Sequence, residues 1–265
     1  MLAEKYIPQG SKGYRSLSNI FSRFDNFFGL NPARWIGIWA IVIAGDNVVS
    51  HFNDRWMYWN WKSLSIYLCI LLIIAPLFDF LYNSKYSDLK KVRSASQAGK
   101  IFIYGFMLFI IGANPVSLSV DVIYYSLPYV TFFLVGHLIW GISINDEDFN
   151  LKLKTDMALP LSIVISLSFI ATTIGFANDD PMISTIAAVY LPFPLVALCF
   201  PVAKRHLQRC RIYVVFIPTM FLSMRYPWFL VLLCPLFALL RHYYYFTTGK
   251  AYPTFKVDHS DEQLV

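Results

Sequence analysis

Residues 101–144 read IFIYGFMLFIIGANPVSLSVDVIYYSLPYVTFFLVGHLIWGISI, and the fold turns on this stretch. Its only charged residue is Asp121. A helix needs about 20 mostly apolar residues to cross a bilayer, so the run is too long for one pass and long enough for two. Asn114-Pro115 and Asp121 supply the only polar break inside it. The stretch therefore predicts two membrane helices, 101–120 and 122–144, joined by a tight hairpin.

The same criterion, carried outward, predicts further spans over 33–52, 64–82, 157–177, 182–203, 212–224 and 228–246. The expected fold is an all-α, polytopic integral membrane helix bundle of about eight transmembrane helices. The segment 212–224 is short; Arg211 and Arg225 flank it and extend its reach by snorkelling, and Pro218 lies within it. A re-entrant segment there gives the fallback of seven passes. Composition agrees with a lipid-solvated chain: 57% of residues are hydrophobic and 14% charged, where a soluble domain carries roughly a quarter charged residues. Ordinary soluble domains are thereby excluded.

Of the 22 lysines and arginines, all but Arg55, Lys62 and Arg225 fall on one side of this threading. Cytoplasmic loops carry the excess of basic residues, so both termini are expected in the cytoplasm, and the loops around Trp59 and Asp179-Asp180 outside. The layout is a cytoplasmic N-terminal segment (1–31), a transmembrane bundle (32–246) and a cytoplasmic tail (247–265), in a membrane of the bacterial inner or plasma type. The net charge of +6 sits in short loops that orient helices and meet anionic headgroups, which argues against nucleic acid and for membrane lipids and membrane proteins as partners. Cys69, Cys199, Cys210 and Cys234 lack CxxC spacing and read as small buried hydrophobes. The N-terminus lacks the apolar core of a signal peptide. Its Ile20, Phe21, Phe24, Phe27 and Phe28 recur at helical spacing beside Lys12, Arg15 and Arg23, the pattern of a basic amphipathic helix on the cytoplasmic leaflet.

Ionisable groups inside a span are costly and are functional candidates for that reason. The first span holds Asp46 and Asn47, with His51 and Asp54 near its end. Asn47, His51 and Asp54 share one helix face, with Asp46 about 100° away. A proton or cation pathway can begin there; an interfacial polar cap beside the aromatic belt of Trp56, Trp59 and Trp61 is the simpler reading. His137, in the fourth span, reads as a helix-packing hydrogen bonder and is the second intramembrane candidate for transport. His51 and His137 lie at different depths, which argues against a bis-histidine haem.

The second span ends with Asp79 and Asn83, one turn apart on one face, followed by Asp88, Lys90, Lys91, Arg93 and Lys100. Carboxylates take Mg²⁺, and lysine or arginine neutralises phosphate. Asp79 and Asp88 are thus candidate metal ligands, with Asn83 beside them in a catalytic group. Arg93, Lys204 and Arg205 are candidate contacts for a diphosphate. A further cytoplasmic loop carries Asn145, Asp146, Glu147 and Asp148.

Asp79-Phe-Leu-Tyr-Asn83, Asp88, Arg93 and Gly99 resemble, in layout only, the cytoplasmic end of the second helix in membrane-embedded aromatic prenyltransferases. The NDxxDxxxD spacing is absent, no Arg-Pro follows, and the second acidic loop arrives two helices early. The leading expectation is an enzyme or binding protein handling a lipid or isoprenoid substrate, with or without a diphosphate, at the cytoplasmic interface. Removal of a diphosphate would rest on Mg²⁺ and basic side chains stabilising the leaving charge. The alternative is a non-catalytic membrane protein, either a secondary transporter using Asp46 and His137 or a structural subunit of a membrane complex.

Overall fold

The computed structural model describes residues 2–28, 32–61, 66, 68–70, 72–74, 77, 94–142, 153–200 and 204–249. Among these the secondary structure is helical throughout: α1 (Leu2–Tyr6), α2 (Lys12–Phe28), α3 (Pro32–Ser50), α4 (Ala95–Gly112), a 3-10 turn (Pro115–Ser117), α5 (Val120–Gly141), α6 (Leu153–Ala177), α7 (Pro181–Tyr190), α8 (Pro192–Cys199), α9 (Lys204–Arg225) and α10 (Pro227–Thr248). The chain divides into two units, Trp35–Trp228 and the pair Met1–Arg34 with Phe229–Val265.

Among the described residues, five stretches are long and apolar enough to cross a membrane: Ala95–Gly112, Val120–Gly141, Met157–Ala177, Pro181–Cys199 and Pro227–Thr248. They run 18 to 22 residues. At 1.5 Å per residue that is about 27–33 Å, the thickness of a bilayer's hydrocarbon core. In length and composition they are compatible with a membrane protein. Trp35–Ser50 is a shorter apolar helix. The segment expected at 212–224 belongs to α9, a helix of 22 residues that opens on Lys204, Arg205, Arg209 and Arg211. The expected span 64–82 lies largely outside the described residues, as does the loop 143–152.

The hairpin at the centre of the sequence forms through local capping. Ala113 ends α4, and Asn114 turns the chain at a φ of 65° while its Oδ1 accepts the Val116 N–H at 3.2 Å. Ser119 then caps α5 by accepting the Val122 N–H at 3.2 Å. Ser and Asn side chains satisfy the N–H groups that a helix start leaves free. Asp180 does the same for α7, with Pro181 in the first turn where a missing N–H costs nothing.

Within Trp35–Trp228, α5 is the most enclosed span, 56% buried against 28–39% for the other three spans in that unit. It packs on α4, α6, α7 and α9. α3 meets α4 at two glycines. A methyl group on Gly45 would overlap the Phe109 carbonyl, and one on Gly112 would overlap that of Val42. Backbones that close require small residues at the crossing. α6 leaves Leu159, Phe169 and Phe176 60–82% exposed, a surface suited to lipid and unfavourable in water. Its Ser168 and Thr172 hydroxyls donate to carbonyls one turn back, at 2.8 and 2.9 Å, so no free polar group is presented by them.

In the other unit, Tyr14, Leu17 and Phe21 of α2 pack against Tyr245 and Phe246 of α10. Phe21 stacks on Phe246 with ring centroids 5.7 Å apart, and Tyr14 meets Tyr245 edge-on at 5.4 Å. Tyr245 Oη donates to the Ile7 carbonyl at 2.9 Å, and Tyr14 Oη to that of Tyr245 at 3.2 Å. The opposite face of α2, with Lys12, Arg15, Asn19 and Arg23, is exposed. Of the apolar residues expected on this face, Phe21 is engaged within the chain, while Ile20 is 58% exposed. The side chains of Phe24, Phe27 and Phe28, and residues 250–265, lie outside the described set.

Candidate functional site

The polar residues of Trp35–Trp228 gather where α3, α9 and the loop 51–61 meet. α3 closes on Asp46, Asn47 and Ser50, and the close α3–α4 crossing at Gly45 fixes that last turn. α9 ends on Met224 and Arg225, whose carbonyls have no partner inside the helix. Trp59 N–H donates to Met224 O at 3.1 Å and Asn60 N–H to Arg225 O at 2.7 Å, so the loop caps the helix. Trp59 adopts a φ of 63° to do so, a conformation a bulky side chain rarely takes.

This docking brings His51 to Tyr226, both buried. Tyr226 Oη donates to Asp46 Oδ2 at 3.2 Å and lies 3.3 Å from His51 Nδ1. Asn60 Nδ2 approaches His51 Nε2 at 3.1 Å. An amide nitrogen donates, so Nε2 accepts and the ring proton sits on Nδ1. Nδ1–H then points between the Asn47 carbonyl and Tyr226 Oη, each 3.3 Å away. The donors run in one direction, from Asn60 to His51 to Tyr226 to Asp46. With a second proton on the His51 ring, Tyr226 can give its hydroxyl proton to the Asp46 carboxylate while taking one from Nδ1, which leaves His51 neutral; the Asn60 amide orients the ring and supplies no proton.

A second branch anchors the first. Asn47 Nδ2 reaches Tyr129 Oη at 3.5 Å, a weak contact. Tyr129 Oη donates to Asp180 Oδ2 at 2.9 Å, while Asp180 Oδ1 accepts the Met182 and Ile183 N–H groups at 3.0 and 3.4 Å. Burial pushes the Asp180 carboxyl above its ordinary value, opposed by these hydrogen bonds and by the charge of Arg55. An amide does not relay protons, so this branch positions α3, α5 and α7 and takes no part in proton passage.

Two arginines complete the cluster. Arg225, 1% exposed, donates through Nη2 to the Arg55 carbonyl and faces the Tyr58 ring at 5.2 Å. Arg55 donates through Nη1 to the Asn178 carbonyl and lies over the Tyr125 ring at 3.9 Å. The snorkelling expected of Arg225 is replaced by an inward turn, because carbonyl acceptors and a ring face are available there. Arg211 behaves alike, donating to the Ile142 carbonyl.

Asp46 is thus joined to a network. Asp54 is not: α3 ends at Ser50, so the expected shared face stops there, and Asp54 lies exposed in the loop. His137 is eight residues along α5 from Tyr129, roughly 12 Å at 1.5 Å per residue. Its ring lies 4.5 Å from that of Phe133, tilted by 55°, with Nδ1 3.2 Å from the Phe133 carbonyl. Asp79, Asn83, Asp88 and Arg93 lie outside the described residues. Lys204 begins α9, and Arg205 is exposed in its first turn. Among the described residues no group of three or more His, Cys, Asp or Glu is placed to hold a metal ion. Asn60, Arg55, Tyr129, Asp180 and Tyr226 are the members that sequence reasoning missed. Only Asp180 had a local signal, an acidic N-cap directly before Pro181. No family model, no curated protein and no solved structure matches this chain.

Proposed function

We propose that the chain is a proton-handling membrane protein of the secondary-transporter class, with Asp46 as the group that takes and releases the proton. The observation that carries this reading is the company Asp46 keeps: beside Ser50, a buried tyrosine hydroxyl connected to a histidine. A carboxylate among apolar helices must be protonated, paired or wetted, because lipid does not solvate its charge. Joined to Tyr226 and His51, it exchanges its proton through them. In this account the bundle has eight passes, or seven and a re-entrant segment. Both termini are cytoplasmic, and the loop 51–61 lies on the outer side, so the relay opens outward. His137, away from the relay, serves helix packing.

A second reading, an interfacial enzyme or binding protein for a lipid or isoprenoid diphosphate with Mg²⁺ on Asp79 and Asp88, is supported by the cytoplasmic loop sequence. One structural feature favours it, the exposed Arg205 at the start of α9. Proton uptake separates the two. Protein reconstituted in liposomes and driven by an inward pH gradient is expected to take up protons, and Asp46→Asn to stop that uptake. Uptake unchanged in Asp46→Asn, or no uptake by the wild type, would overturn the transport reading; turnover of an isoprenoid diphosphate that needs Asp79 would establish the other.

A further inference from the structure

The rotation of α2 about its own axis is fixed by α10. Tyr14, Leu17 and Phe21 turn onto Tyr245 and Phe246, and Tyr14 Oη donates to the Tyr245 carbonyl at 3.2 Å. Just before α2, Gln9 Nε2 donates to the Gly249 carbonyl, and the Ile7 carbonyl accepts from Tyr245 Oη at 2.9 Å. Ser11 Oγ caps the first turn by accepting the Tyr14 N–H at 3.1 Å. At about 100° per residue, Lys12, Arg15, Asn19 and Arg23 then share an arc of roughly 80° on the opposite side. All four are exposed. Residues 12–23 hold three cations and no carboxylate, and Ile20, 58% exposed, borders the arc. The depth of this surface follows from α10. Its 22 residues reach about 33 Å, enough to cross the hydrocarbon core. Its end carries Arg241 and the run Tyr243-Tyr244-Tyr245-Phe246, the basic and aromatic composition found where a span meets the headgroups. α2 is seated on those aromatics, which sets its basic arc at headgroup height.

We propose that Lys12, Arg15 and Arg23 of α2 form a docking surface for the anionic phospholipid headgroups of the bilayer that α10 crosses. The sequence pattern suggests an apolar helix face entering the leaflet. With Tyr14, Leu17 and Phe21 committed to α10, the contact left to the leaflet is electrostatic. Lys12 and Arg23 lie about 16 Å apart along the helix axis, too far for one phosphate and suited to a row of headgroups. Each lysine or arginine beside an anionic leaflet strengthens binding about five-fold, so the three together supply about 100-fold. The contact is exposed and is therefore screened by salt. This surface needs the membrane but not the proton-handling reading, and it belongs entirely to the unit that α2 forms with α10.

The test is amide hydrogen exchange, read peptide by peptide, on the full-length protein in neutral detergent micelles as phosphatidylglycerol or phosphatidylcholine is titrated in. Exchange over residues 12–23 reports this surface alone, whatever other basic loops bind. Phosphatidylglycerol is expected to slow it and phosphatidylcholine to leave it unchanged, with the effect weakening as salt rises. Arg15→Gln should raise the half-saturating amount of lipid about five-fold, and the combined change Lys12→Gln, Arg15→Gln and Arg23→Gln about 100-fold. The charge-keeping set Lys12→Arg, Arg15→Lys and Arg23→Lys should bind as the wild type does, which separates lost charge from a disturbed helix. Equal slowing by the two lipids would assign the contact to apolar insertion and overturn the proposal. So would slowing that survives the glutamine set, slowing lost equally in both sets, or no slowing at all. Slowing by an acidic peptide with none by the phospholipid would overturn it in favour of a protein partner.

Discussion

Replacing Tyr226 with phenylalanine removes one oxygen from a fully buried ring and leaves its packing in place. The lost hydroxyl donates to Asp46 Oδ2 at 3.2 Å and accepts from His51 Nδ1 at 3.3 Å. Both distances are long for bonds of their kind, which places each in the lower part of its energy range. A hydrogen bond between neutral groups contributes about 0.5–1.5 kcal/mol, and one to a charged group about 1.5–3 kcal/mol. Interhelical hydrogen bonds in membranes average about 0.6 kcal/mol, which again favours the low end. The expected loss is about 1 kcal/mol while Asp46 holds its proton and about 2 kcal/mol once it is ionised. The destabilisation by Tyr226→Phe should therefore grow as pH rises through the titration of Asp46. Denaturant unfolding of both proteins in the same micelles, repeated across pH, measures this difference directly. A loss that stays flat with pH, or falls below about 0.3 kcal/mol throughout, would show that Tyr226 does not serve the carboxylate.

Gly112→Ala should cost about 1–3 kcal/mol, because the methyl group meets the Val42 carbonyl and forces α3 from α4; an unchanged unfolding midpoint would contradict the close crossing. Asp180, with its carboxyl raised by burial, makes the fold most stable below the ordinary aspartate value of about 3.9. As pH climbs from there to the raised folded value, the unfolded chain ionises first and stability falls. Asp180→Asn keeps the cap on α7, so the difference in stability between wild type and variant should decline over that window; a difference that rises with pH refutes the assignment. In the N-terminal unit, Phe21→Ala and Phe246→Ala should couple in a double-mutant cycle by about 0.5–1.5 kcal/mol, the worth of an aromatic pair beyond its area. Strict additivity would mean that the stack contributes nothing of its own.

Hydropathy made the long apolar elements legible because length and polarity alone define a membrane helix. The hairpin at Asn114-Pro115 and the span Met157–Ala177 agree with that reading. It reads less well where charge enters a helix: Arg205, Arg209 and Arg211 lie inside α9, although a hydropathy window starts that segment only at residue 212. The break at Leu191 between α7 and α8 is likewise invisible to a window, since Pro192 and Pro194 are apolar while Pro192 lacks an N–H to continue the ladder. Of the site, Asp46, Asn47 and His51 stand out in the sequence as polar residues in an apolar run. Tyr226 does not, because tyrosine at a helix end is common in membrane proteins and serves most often as an anchor; Tyr129, in the middle of α5, reads as one more aromatic in an apolar run. Their roles come from pairings across 180 and 82 residues, which periodicity cannot disclose. The inward turn of Arg225 escapes the sequence for a related reason: the acceptors that draw it inward belong to a loop far back in the chain.

The central claim is that Asp46 exchanges a proton through Tyr226 and His51. Infrared difference spectroscopy of the reconstituted protein, titrated across pH, observes that proton at the carboxyl stretch itself. The account predicts a protonated-carboxyl band that disappears as pH rises, is missing in Asp46→Asn, and shifts in Tyr226→Phe as its hydrogen bond is lost. Identical titrating bands in all three proteins would contradict it.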